Sequence, residues 1–295
     1  MSKLVVFSPA SLRADTPPAL EQFQWRFLAA GDSWFSIGTL NLLANSNLLF
    51  ELAPSRSACA VNCGYPGHTL RRIVEMVRDP DFEGLLLGAT RRPWDALLVS
   101  AGGNDLMAAI AVRPEGPAAA NPALRLLLLP AEWGPESMGA ARYVSEAGWK
   151  LMAEYLRANL DDLIALRDHP ASQSKGVPIF MHTYAVPTPR DAGAGFGLGP
   201  WLLPAMLAYG IPEADRPALT AELVARSSRL MLDAAADPAR FPNLQVFDSV
   251  ARVSLEPAVS NVTGRSGDWV NEIHLTRGGY GKLARAWAPE IEAHL

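Results

Sequence analysis

The sequence predicts an α/β protein, a parallel sheet with helices on both faces, and three observations predict it. Short apolar runs alternate along the chain with longer segments whose apolar residues recur at helical spacing. The run Ala96–Ser100 (Ala-Leu-Leu-Val-Ser) is almost wholly apolar, as in a strand buried on both faces. Small polar residues follow directly on several predicted strands, at the carboxyl ends where such sheets bind ligands.

Taken in order, residues 1–22 read as a Pro-rich arm without periodicity, and residues 23–295 as one domain. A first strand over 25–30 runs into Gly31-Asp32-Ser33, and helical signal follows over 38–49. A second strand over 59–63 ends in Asn62-Cys63-Gly64-Tyr65-Pro66-Gly67. A helix then fits 69–77, with Leu70, Ile73, Val74 and Val77 at helical spacing. The third strand is Ala96–Ser100, ending in Ala101-Gly102-Gly103-Asn104-Asp105. A long helical stretch over 136–167 precedes a fourth strand over 177–182. Residues 186–212 are irregular and rich in Gly and Pro, and read as a lid or insertion. A helix over 217–235, a fifth strand over 244–247 and a last helix over 277–295 complete a five-stranded parallel sheet.

Composition bounds the function. The chain has 295 residues, 49% hydrophobic and 19% charged, with net charge −4. One domain of this size buries roughly 75% of its unfolded surface, enough for a full core. Lys and Arg are scattered rather than clustered, which argues against a nucleic-acid partner. Apolar runs are too short for a membrane span, and the apolar stretch 4–7 is too short for a secretory signal. If Cys59 and Cys63 share a strand, they lie ~13 Å apart at ~3.3 Å per residue. That exceeds the Cα separation of about 7 Å that a disulfide tolerates. Free thiols fit a reducing compartment, so the expectation is a cytoplasmic protein. Oligomeric state is left open.

Acyl transfer needs a nucleophile, a base and donors for the oxyanion. Ser33 sits at a strand-to-helix turn, where it is either a helix N-cap or an exposed nucleophile. Gly67 is either a turn residue or a place where substrate nears a backbone N–H. Asn104 is either turn chemistry or a side-chain amide donor. His274, just before the last helix, is either structural or the base.

Together these residues resemble the conserved blocks of the SGNH (GDSL-like) hydrolases. The matching pieces are Gly31-Asp32-Ser33, Asn62 with Gly67 and Thr69, Gly102-Gly103-Asn104-Asp105, and Asn271-x-x-His274, in that order over 27–283. The resemblance implies a three-layer α/β/α, flavodoxin-like fold and an esterase acting on small-molecule, lipid or sugar esters. It implies Ser33 as nucleophile and His274 as base. The Ser33 and Gly67 N–H groups and the Asn104 amide would form the oxyanion hole. No cofactor and no metal are expected. An acyltransferase would use the same residues, and a catalytically weak binding protein would keep the fold.

The family has an aspartate where this chain has Asn271, three residues before the histidine. Asparagine can orient an imidazole but brings no charge. Asn271, Asp268, Glu272 or a backbone carbonyl are the candidates for orienting His274. His182 and Tyr184, at the end of the fourth strand, are candidate substrate contacts or structural residues. There is no Gly-x-Ser-x-Gly elbow, and the glycines at 193, 195, 197 and 199 match no dinucleotide fingerprint.

Overall fold

A computed structural model describes residues 3–37, 46–75, 80–195 and 197–295. Most of the helix expected over 38–49 and the last residues of the one expected over 69–77 lie outside the described residues. The strands are β1 (Val5–Phe7), β2 (Trp25–Gly31), β3 (Ala58–Asn62), β4 (Ala96–Ser100), β5 (Ile179–His182) and β6 (Leu244–Phe247). They form one sheet in the order β1-β3-β2-β4-β5-β6, every neighbouring pair parallel. Counted from β2, the order is 2-1-3-4-5, the flavodoxin-like form of the doubly wound sheet.

The sheet has six strands rather than the five expected. The extra one, β1, lies in the arm read as structureless. Three residues are too few to show an alternating pattern. β1 is set instead by pairing with the edge of β3, Val5 opposite Cys59 and Phe7 opposite Val61.

The helices are α1 (Ser33–Ser36), α2 (Leu48–Glu51), α3 (Leu70–Val74), α4 (Pro80–Leu86), α5 (Gly103–Ile110), α6 (Pro117–Ala120), α7 (Glu146–Arg167), α8 (Leu203–Ala208), α9 (Arg216–Ala235), α10 (Ser249–Arg252) and α11 (Arg277–Glu292). The single helix expected over 136–167 is broken in two. A 3-10 segment, Glu136–Tyr143, carries Gly139 at φ 56°, and α7 starts afresh with Ser145 Oγ accepting from the Gly148 N–H at 3.1 Å.

Alternation along the strands builds a core on each face of the sheet. Leu28 and Ala30 of β2 and Leu97 and Val99 of β4 pack with Ile73, Phe82, Leu160 and Leu223, from α3, α4, α7 and α9. Phe27 and Ala29, with Ala96 and Leu98, face the other way, onto Phe35, Leu48, Leu49 and Trp287 of α1, α2 and α11. Period-two alternation with both faces apolar explains why β4 reads as an almost continuous apolar run. No helix among the described residues is long and apolar enough to cross a membrane.

Candidate active site

β2 and β4 run side by side to the point where the strand order reverses, and the site is built at their carboxyl ends. Gly31 closes β2. A Cβ there would lie 2.9 Å from both the Cβ and the carbonyl oxygen of Ser100, so the approach requires glycine. Asp32 follows and caps α1, its Oδ1 accepting from the Trp34 N–H at 2.9 Å. The capping role considered for Ser33 therefore falls to Asp32. Ser33 is the first helical residue, and its Oγ lies 2.8 Å from His274 Nε2.

His274 sits in the loop before Thr276, which caps α11 through the Gly279 N–H at 3.1 Å. Asn271 Oδ1 accepts from the N–H groups of Ile273 (3.1 Å) and His274 (2.9 Å). Two N–H groups can face only the oxygen of an amide, so this assignment follows from the network. The same oxygen lies 3.0 Å from His274 Nδ1. Nδ1 must then carry the proton and donate, which leaves the Nε2 lone pair for the Ser33 hydroxyl. Burial pushes His274 down to about 4 from the ordinary 6.5, so the ring is neutral at pH 7.

The other candidates for orienting this ring are occupied elsewhere. Asp268 Oδ2 accepts from the Glu256 N–H at 2.7 Å and from Lys282 Nζ at 2.6 Å. Glu272 is fully buried, and its carboxylate accepts from the backbone N–H groups of Arg190, Trp201, Leu202 and Leu203. Burial raises its pKa, and these four donors oppose the rise. Arg190 Nη2 donates to the Asn271 carbonyl at 2.7 Å, and its Nη1 donates to the carbonyls of Val262 and Gly264. Glu272 and Arg190 thus bind the 190–203 segment to the loop that carries His274. Trp201 rests edge-on against the His274 ring at 5.4 Å, and Trp34 Nε1 donates to the Ile273 carbonyl at 3.2 Å.

Gly67 has φ +81°, the left-handed region that favours glycine. Asn104 enters α5 behind Gly102, itself at φ +100°, and its Nδ2 donates to the His68 carbonyl at 3.0 Å. Asp105 ties the two loops together, Oδ2 accepting from the Leu70 N–H at 3.0 Å. Among the described residues, no acceptor takes the N–H of Ser33 or of Gly67. Ser33 and Asn104 line one cavity, and Gly67 and Asn104 line the groove beside it.

A second serine and histidine meet beneath the first. Ser100 Oγ donates to Asp32 Oδ1 at 2.9 Å and lies 3.1 Å from His182 Nε2 and 3.2 Å from the Tyr184 hydroxyl. Tyr184 donates to Asp32 Oδ2 at 2.5 Å. Burial pushes Asp32 up to about 6, against the opposing bonds from Tyr184, the Trp34 N–H and Ser100. Ser, His and Asp make a triad by composition, but the connectivity differs: His182 Nδ1 faces the Thr183 carbonyl at 3.0 Å, not the carboxylate. Ser100 is fully buried and absent from the cavity wall that His182 and Tyr184 reach. Sequence reasoning missed this network. Its signals were present: a serine ending a buried strand, and an acidic residue next to Ser33.

Among the described residues, no three His, Cys, Asp or Glu side chains gather as a metal-ligand set. No family model and no curated protein matches the chain. Solved structures similar to it include an extracellular lipase from Streptomyces rimosus, at 13% identity and TM-score 0.48, covering 92% of this chain and 100% of that one. An aryl esterase from M. smegmatis is similar at 14% identity and TM-score 0.47, over 92% and 100% of the two chains. Phospholipase A1 from Streptomyces albidoflavus NA297 is similar at 12% identity and TM-score 0.45, over 92% and 99%. The α/β fold stands on the strand order described above.

Proposed function

We propose that this chain is a serine esterase of the SGNH type, forming an acyl-enzyme on Ser33 with His274 as base and Asn271 as the group that orients it. The observation that carries the proposal is the relay Asn271 Oδ1, His274 Nδ1–H, His274 Nε2, Ser33 Oγ, with the tautomer a base requires. Ser33 Oγ attacks the ester carbonyl while Nε2 takes its proton. The carbon–oxygen bond to the alcohol then breaks, and the imidazolium returns that proton to the departing oxygen. Water repeats the sequence and releases the acid. The N–H groups of Ser33 and Gly67, with the second hydrogen of Asn104 Nδ2, are the donors for the oxyanion.

An alcohol in place of that water would make the same site an acyltransferase. The competing reading, a ligand-binding protein with little turnover, is favoured by one observation, the missing negative charge at Asn271. The buried thiols of Cys59 and Cys63 support a cytoplasmic setting within this proposal. Arg190 and residues 201–203, held by Glu272, make their parts of the expected lid a fixed wall within this proposal. The test is labelling with a fluorophosphonate beside Ser33→Ala and His274→Ala. Labelling of the native protein, lost in both variants, is expected. A folded native protein that takes no label would leave the binding reading in its place.

A further inference from the structure

Two spaces meet at Asn104 and Met107, and they differ tenfold in size. One is a small cavity of ≈ 50 Å³ lined by Ser33, Trp34, Val224 and Met231. One water needs about 10–15 Å³ by this measure, so the cavity takes about three to five small heavy atoms. The other is a groove of ≈ 550 Å³ that begins at Gly67 and Trp201. Through Thr69, Ala108 and Val112, which line both, it continues into a second apolar groove of ≈ 460 Å³. Leu124, Leu151 and Tyr155 stand 44%, 50% and 41% exposed along that extension. An apolar track of this length on a surface calls for an apolar occupant.

The chemistry assigns each space to one arm of an ester. An acyl group becomes bonded to Ser33, a residue that lines the small cavity and not the groove. The alcohol must leave past His274, which supplies its proton, and Trp201, packed on that ring, lines the groove. We propose that the substrates are esters of a short acid, of acetyl to butyryl size, with a long apolar alcohol that lies along the groove over α5. This rests on Ser33 being the nucleophile.

The experiment compares kcat/KM for dodecyl acetate, ethyl acetate and ethyl dodecanoate, together with fluorophosphonate labelling. Dodecyl acetate is expected to exceed both others by roughly tenfold or more, because only it buries its chain while fitting the cavity. Ala108→Trp, at an exposed position where the two grooves join, should cut the dodecyl-to-ethyl acetate ratio by about tenfold. Leu151→Glu, at the far end, should cut it less. Labelling of each variant shows that its serine is still reactive, so a misfolded variant is recognised. A preference for ethyl dodecanoate, or a ratio unmoved in a labelled Ala108→Trp protein, overturns the groove assignment alone. No label and no turnover of any ester overturns the Ser33 reading and the groove with it.

Discussion

Two serines each meet a histidine within a few ångströms of Asp32, and the two pairs are connected differently. Ser33 offers its proton to an imidazole whose other nitrogen is held by Asn271, and its side chain borders a cavity. Ser100 gives its proton to Asp32 and lies sealed between strands. The ingredients are nearly the same. On the proposed reading, what separates the nucleophile from a structural serine is the order of connection and access to substrate, not the presence of Ser, His and Asp.

The sharpest way to break this comparison is to remove each serine. Ser33→Ala should lower kcat by ~10⁴-fold or more, whereas Ser100→Ala should leave a protein that still takes fluorophosphonate. The reverse pattern, in purified folded variants, would transfer the nucleophile to Ser100. Next in size is Asn271→Asp. A carboxylate at Oδ1 stabilises the imidazolium that the present amide leaves uncompensated, and kcat should rise by roughly tenfold. The acid limb should also move. With His274 held down at about 4, kcat/KM of the native protein should fall only as pH drops toward 4, because a protonated ring accepts nothing. In Asn271→Asp the fall should begin at higher pH, as a pH–rate profile would show.

A smaller effect is expected from Glu272→Gln, which replaces one oxygen facing two N–H donors with an amide that cannot accept from them. The 190–203 segment should loosen, and kcat should fall by about tenfold with little change in labelling stoichiometry. On activity, the smallest effect concerns the lower network, where the readout is stability. Asp32 binds its proton more tightly folded, at about 6, than its ordinary 3.8. Its contribution to stability is therefore full below 3.8 and lost as pH rises through 6. Asp32→Asn should remove that loss, worth up to roughly 3 kcal/mol at pH 8, and flatten Tm against pH over this window. A slope identical to the native protein would mean that Asp32 does not carry it.

Much of this was legible in the sequence. The parallel sheet followed from short apolar runs alternating with helical segments, the candidates Ser33, Gly67 and Asn104 from what sits at strand ends, and the candidate His274 from its place before the last helix. Which side chain faces which was not legible. Asn271, Asp268 and Glu272 lie within five residues of each other, and only the fold separates them: one faces the ring, one a lysine, one four backbone N–H groups. Asp32 gave no sign that it would relieve Ser33 of capping, because capping depends on which residue has extended rather than helical backbone. Tyr184 was legible as a residue near the site, but not as the ring against which a Cβ on Gly103 would come within 2.8 Å.

The short strand β1 has a consequence of its own. It occupies the hydrogen-bonding edge of β3, where Cys59, Ala60 and Val61 would otherwise present unpaired N–H and C=O groups beside a wholly apolar run. Such an edge is a template on which another chain can extend the sheet. Three residues of the arm thus cover the edge of β3, and proteolytic trimming near Ser8 would be expected to bare that edge as a template for sheet extension.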